Sequence, residues 1–184
     1  MLFNHNLTAK AVFYEDAARL PIIVVPQADR KELGQYKLDD RLAAQADIMP
    51  TLLELCDISV PNTVEGHSLL GDGQHEYLYG EHFEDEAATR MIRKGKHKLI
   101  YYPVGNRTQL FDLEADPREM HDLSEDTAYE KVRSELADLL VSRLYGSDME
   151  WLENGRLVGL PEIEGPSRPP GNRGLNNQRG WRFR

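Results

Sequence analysis

With a single cysteine, Cys56, the 184-residue chain cannot build an internal disulfide framework. It also lacks any run near the roughly 18 consecutive apolar residues of a membrane-spanning helix. The opening "MLFNHNLTAK" has neither the basic start nor the apolar centre of an export signal, so the expected location is cytoplasmic by default, with no membrane partner. Positive charge is in short supply: 22 Lys plus Arg face 31 Asp plus Glu, a net charge of -9 that argues against nucleic acid as a partner. No internal repeat is evident. Apolar residues are not lacking: at 40% they are enough for a packed core and exclude wholesale disorder.

What basic charge exists is concentrated at the end. From Gly165 onward, "GPSRPPGNRGLNNQRGWRFR" holds Arg168, Arg173, Arg179, Arg182 and Arg184 and no acid. Its Pro, Gly and Asn content opposes regular structure. Residues 149–184 are therefore read as an irregular basic tail, either lying over the acidic body of the chain or engaging an acidic partner.

Upstream, "RLPIIVVP" is a short apolar run, β-branched at its centre, of the kind buried on both faces in a parallel sheet. "LDDRLAAQADIMPTLLELCDI" follows at helical spacing, with Leu42, Ala46, Met49, Leu52, Leu53 and Cys56 as a candidate buried stripe. Asp47 stands where an N-cap belongs, and Pro50 sits near the first turn. The pattern then changes. "EYLYGEHF", "TRMIRKG", "HKLIYYPV" and "TQLFDLEADP" read as four short strands, with turns at Gly95, at Gly105-Asn106 and at Asp116-Pro117. "TAYEKVRSELADLLVSRLYG" puts Tyr129, Val132, Leu136, Leu139, Leu140 and Leu144 on one helix face. Thr127 and Glu130 form a candidate capping box, and Gly146 a stop. The economical reading is an antiparallel sheet carrying one amphipathic helix. The expected divisions are 1–70, the remnant of an α/β domain; 71–148, the sheet and helix; and 149–184, the tail.

Several fragments imitate catalytic motifs. "HEYLY" starts like a zinc-protease helix, but Tyr79 occupies the second ligand position. In a strand, His75 and Glu81 would share a face that His82 does not. "GHSLLG" lacks the glycine two residues before Ser68 that a nucleophile elbow requires. Cys56 on an apolar stripe is expected to act as a small hydrophobe. Lys10, in a loop leading into a strand, could bring a mobile charge to an anionic oxygen or could simply be a solvated lysine. His5 could donate a proton or do nothing chemical.

Three blocks carry a resemblance. "HNLTAKAVFYEDAARLPIIVVP" has lysine, three residues, an aromatic-acid pair, then Arg-x-Pro and an apolar strand. "ADIMPTLLELCDISVPNTVEGHSLL" has Asp-x-x-Pro-Thr-Leu-Leu. "RMIRKGKHKLIYYPVGNRTQLFDLEADPREMHDLSED" has Leu-Phe-Asp-Leu-x-x-Asp-Pro-x-Glu. Together they resemble the C-terminal part of sulfatases, of the bacterial arylsulfatase or choline-sulfatase type. The resemblance implies the α/β fold of the alkaline-phosphatase-like superfamily, with a small α+β subdomain at its C-terminal end. It further implies sulfate-ester hydrolysis, in which a formylglycine made from cysteine or serine attacks sulfur and a divalent cation, commonly calcium, polarises the ester. The residue matching Lys10 contacts a sulfate oxygen, and a histidine near the position of His5 lies beside the leaving group.

The departures are equally specific. Cys56 is followed by Asp57, Ile58, Ser59 and Val60, which does not fit the formylglycine pattern Cys/Ser-x-Pro/Ala-x-Arg. Ser59-x-Pro61 has Thr63 where arginine is needed. The Asp-Asp metal pair and the later Asp-His or Asp-Asn pair have no counterparts. The expectation is a partial sulfatase without nucleophile, metal ligands or retained cofactor, which acts on a sulfate ester only when an N-terminal half or a partner chain completes the sheet. The alternatives are a stand-alone module binding anions or protein, and a fragment of a related phosphoester or phosphonate hydrolase.

Overall fold

The structure is a computed structural model, and it describes residues 4–6, 12–25 and 38–162. The chain divides into two units: Met1–Leu20 with Tyr79–Arg184, and Pro21–Leu78. Strands β1 (Leu78–His82), β2 (Thr89–Lys94), β3 (His97–Tyr102) and β4 (Arg107–Asp112) form one sheet in sequential order. β2 pairs antiparallel with β3, and β3 with β4. All four strands lie where the alternating segments place them. The β3–β4 turn uses Gly105 and Asn106 at φ 75° and 49°, the left-handed pair that a tight hairpin demands. The fold class is mixed α/β, as the sequence leads one to expect.

Both faces of the sheet are covered. In register, Ile92, Leu99 and Leu110 line one face, beside Arg90 and Tyr101. The helices are α1 (Glu15–Ala18), α2 (Ile48–Leu55) and the 12-residue α3 (Glu130–Val141), and α3, whose Leu136 and Leu140 are buried, packs on β2 and β3. Leu144 and Trp151 are also buried, with Trp151 near the ring of Tyr101. The opposite face carries Met91, Ile100, Tyr102 and Phe111 and is capped by Tyr14, Val12, Phe13 and Leu113. A side chain at Gly80 of β1 would put its Cβ 2.7 Å from Phe13, so the glycine is what lets this N-terminal stretch lie down on the sheet. The helix N-terminus differs from the expected capping box. Asp126, not Thr127, supplies the cap by accepting from the Ala128 amide, and a 3-10 turn (Thr127–Tyr129) leads into α3. The helix stops at Val141, and Gly146 instead opens a 3-10 turn, Gly146–Trp151.

The unit Pro21–Leu78 departs further from expectation. Leu20 to Val25 form no strand, and Ile23 and Val25 are 82% and 83% exposed. Continuous apolar runs make strands when neighbours supply the hydrogen bonds, and among the described residues no strand pairs with this one. Helix α2 (Ile48–Leu55) is present with Pro50 in its first turn, preceded by a 3-10 turn at Gln45–Asp47. Its predicted stripe is not buried: Ala46, Met49, Leu52 and the free Cys56 are exposed, and Leu42 and Leu53 are half-buried. What is buried is Asp47, Pro50 and Thr51. The helix therefore holds to its own loop through polar groups, and its apolar side is open.

Two buried charge sites carry testable consequences. Arg90 donates from Nε and Nη2 to both oxygens of Asp148, at 2.6 and 2.8 Å, and from Nη1 to the carbonyls of Phe83 and Thr89. Its guanidinium lies 5.1 Å from the Trp151 ring centroid. Asp148→Ala leaves a buried cation without its carboxylate and is expected to cost about 3 kcal/mol, read from urea unfolding followed by tryptophan fluorescence. Asp47, in the other unit, is pushed up by burial. The amides of Ala44 and His67 and the ring of His75 more than offset this, and its pKa is lowered. A depressed carboxyl contributes stability that is complete above its unfolded value and is lost as pH falls through the folded one. Protection of α2 amides should therefore weaken below about pH 4, and Asp47→Asn should remove that dependence in hydrogen-exchange measurements.

Candidate functional site

Of the two residues that the sequence puts beside a sulfate group, Lys10 lies outside the described residues. His5 is described and sits in an unusual backbone conformation, φ 52° and ψ 29°. Its ring stacks on Tyr14 at 4.0 Å between centroids and 6° between planes. Its Nε2 lies 2.9 Å from the carbonyl oxygen of Arg118. A carbonyl only accepts, so Nε2 carries the proton, and a neutral ring held this way presents Nδ1 as an acceptor. Tyr14 is fixed in turn, donating its hydroxyl to Gln109 Oε1 at 3.0 Å, an atom that also accepts from Tyr102 at 2.7 Å.

One residue beyond Tyr14, the same stretch is tied to the sheet by charge. Lys98, on the same face of β3 as Ile100 and Tyr102, is 1% exposed. Its Nζ donates to Phe13 O at 2.7 Å and to Glu15 Oε1 at 2.8 Å. It also pairs with Glu119 Oε1 at 2.6 Å, without the angle of a hydrogen bond. Glu119, itself 2% exposed, accepts the Glu15 amide on its other oxygen at 2.6 Å, and Arg93 pairs with Glu15 at 3.2 Å. Burial pushes the Glu119 carboxyl up, against the pull of Lys98 and the Glu15 amide, and the net shift is upward.

Glu119 reaches this position by turn chemistry. Pro117 follows Asp116 in a turn closed by the Glu119 amide on Asp116 O at 3.0 Å, and Glu119 then takes φ 55°. Upstream, Asp112 Oδ1 accepts the amides of Glu114 and Ala115 and starts the loop. The Leu-Phe-Asp-Leu-x-x-Asp-Pro-x-Glu pattern is thus a device for delivering one buried carboxylate.

The middle motif builds a second clasp, within the unit Pro21–Leu78. Asp47 accepts the amides of Ala44 and His67 at 2.7 and 2.8 Å and pairs with His75 at 2.8 Å. Thr51 Oγ1 donates to Asp47 O and accepts the Leu69 amide. Gly66 packs so closely that a Cβ there would sit 2.2 Å from Ala46 O. Arg41 donates to the carbonyls of Leu69, Gly71 and Gly73. His75 therefore serves Asp47 and lies before β1, not on a strand face with Glu81. These residues fold a loop onto a helix.

Sequence reasoning named Lys10, His5 and the Tyr14-Glu15 pair but passed over Lys98 and Glu119. Lys98 shares its alternation with Ile100 and Tyr102, and Glu119 closes the Asp-Pro-x-Glu turn, but neither position marks burial by itself. Among the described residues, no three His, Cys, Asp or Glu side chains gather so as to hold a metal ion. The formylglycine of the resembled enzymes has no precursor pattern in the sequence. Among the described residues, no helix is long and apolar enough to cross a membrane.

Comparison with known proteins gives a consistent answer. Residues 4–144 match the family described as N-sulphoglucosamine sulphohydrolase, C-terminal. An arylsulfatase of Clostridium perfringens is 30% identical over 168 residues, 88% of this chain and 35% of its own length. A Delta 4,5-hexuronate-2-O-sulfatase of Bacteroides thetaiotaomicron is 33% identical over 186 residues, 89% of this chain and 38% of its own. Among solved structures, a 2-O GAG sulfatase is 34% identical with a TM-score of 0.49, over 52% of this chain and 23% of that one. The chain spans little more than a third of the length of these curated relatives. With the family's C-terminal pattern covering most of its residues, the chain belongs to the sulfatases.

Proposed function

We propose that these 184 residues are the C-terminal portion of a sulfate-ester hydrolase, inactive alone, that works with an upstream catalytic portion. The observation that carries this reading is the family match over residues 4–144 combined with coverage of only 35% and 38% of the arylsulfatase and the hexuronate sulfatase. The sequence agrees: it holds no Cys/Ser-x-Pro/Ala-x-Arg. The open apolar side chains at Ile23, Val25, Ile48, Met49 and Leu52 are surfaces that a further stretch of polypeptide would cover.

In this reading Lys10 supplies a mobile positive charge to a non-bridging sulfate oxygen as charge develops on the group. In the same reading His5, whose ring is held by its stack on Tyr14 and by the Arg118 carbonyl, belongs beside the leaving group. The chain's own contribution is binding and orientation; bond cleavage belongs to residues upstream. A sulfated sugar or aryl sulfate is the substrate class that the relatives' activities suggest, and the scaffold's reuse for phosphoesters makes phosphate the alternative to exclude.

The test is kinetic. The purified chain should not turn over 4-nitrocatechol sulfate or p-nitrophenyl phosphate, whereas the chain joined to the upstream portion should hydrolyse the sulfate. Lys10→Ala in the joined enzyme should lower kcat/KM by about a hundredfold or more. Turnover by the chain alone would end this reading, and preference of the joined enzyme for the phosphate would replace sulfate by phosphate.

A further inference from the structure

Lys98 is placed at odds with ordinary stability. Its same-face neighbours are Ile100 on β3 and Phe111 opposite on β4, both fully buried and apolar, and half-buried Arg93 opposite on β2. A leucine or methionine would pack there without the desolvation that burying an ammonium incurs, and replacing a buried ion pair by apolar residues is often neutral or stabilising. The polar contacts of Lys98 also serve no strand. Phe13 O, Glu15 Oε1 and Glu119 Oε1 all lie outside the sheet, two on the N-terminal stretch and one on the turn after β4. That turn holds Glu119 at φ 55°, a left-handed conformation that a non-glycine residue adopts only at a cost.

The rest of the stretch is held just as specifically. Glu119 takes the Glu15 amide, Arg93 the Glu15 carboxylate, Gln109 the Tyr14 hydroxyl and Arg118 the His5 ring. Apolar packing of Val12, Phe13 and Tyr14 would fix the stretch to the sheet only loosely along its length. Oriented donors and acceptors on three consecutive residues, Phe13 to Glu15, fix its register.

We propose that the Lys98–Glu15–Glu119 cluster is a positioning device. It sets the register of Phe13–Glu15 on the sheet, the stretch that follows Lys10 in the sequence. Lys98 and Glu119 are positioning residues that act through this stretch. The proposal rests on the sulfate-contact reading of Lys10 only for its catalytic consequence; the structural half stands on the described residues.

Hydrogen exchange on the full chain tests the structural half. In Lys98→Met, amides of residues 13–18 should exchange at least about tenfold faster while β2 to β4 keep their protection. Glu119→Gln retains an acceptor for the Glu15 amide and removes a charge at the same volume; it should give the same pattern more weakly. Unchanged protection at 13–18 overturns the proposal, and so does a uniform loss over the sheet in both variants. A double-mutant cycle in the joined enzyme tests the consequence. Lys98→Met should lower kcat/KM for 4-nitrocatechol sulfate about tenfold when Lys10 is present and not at all in Lys10→Ala. Fully additive losses overturn the link. If Lys10→Ala is inert, the sulfate-contact reading fails by itself, and the exchange result alone decides the inference.

Discussion

The ammonium of Lys98 is the point through which the sheet unit is tied together. It gathers oxygens from Phe13, Glu15 and Glu119, residues that lie some 80 positions upstream and 20 downstream of it. Remove it, and the N-terminal stretch keeps its greasy contacts with Met91, Tyr102 and Phe111 but loses what aligns it. Two separate sequence blocks, the Tyr14-Glu15 pair and the Asp-Pro-x-Glu turn, make sense only once they meet here. The third participant comes from the strand between them.

Much of the sheet unit was legible in advance. Period-two alternation with turn residues between the segments located β1 to β4, and helical spacing located α3, because each element buries its face against another part of this same chain. Where burial depends on something else, the pattern misled. The apolar run at Pro21–Val25 reads as an interior strand and lies open. The stripe on α2 reads as buried, yet Met49 and Leu52 face outward while Asp47 and Thr51 are enclosed. The capping box expected at Thr127 is replaced by Asp126, which caps a 3-10 turn ahead of α3 by accepting the Ala128 amide.

The site was legible only in outline. Lys10 and His5 stand out by resemblance, but nothing local distinguishes a buried lysine from a solvated one. Lys98 sits in "HKLIYY", where a single charge beside apolar residues usually marks an outward face. Its environment is created by Glu15 and Glu119, far away in sequence. Likewise Asp47 looks like a helix cap. It is in fact bonded backwards to Ala44 and across a loop to His67 and His75. Asp47, Asp112 and Glu119, the carboxylates of these motifs, each accept backbone amides, so the motifs that mark the family here record architecture more than reaction chemistry.

The bareness of Ile22 to Val25 has a practical side. Four residues, "IIVV", combine strong β-tendency with no charge and face solvent. Polypeptide left in that condition tends to zip up with whatever edge it meets, including identical molecules at high concentration. Overproduced without a shield over this stripe, the chain would be headed for inclusion bodies, and a charged gatekeeper at Ile23 or Val25 would be the simplest route to keeping it in solution.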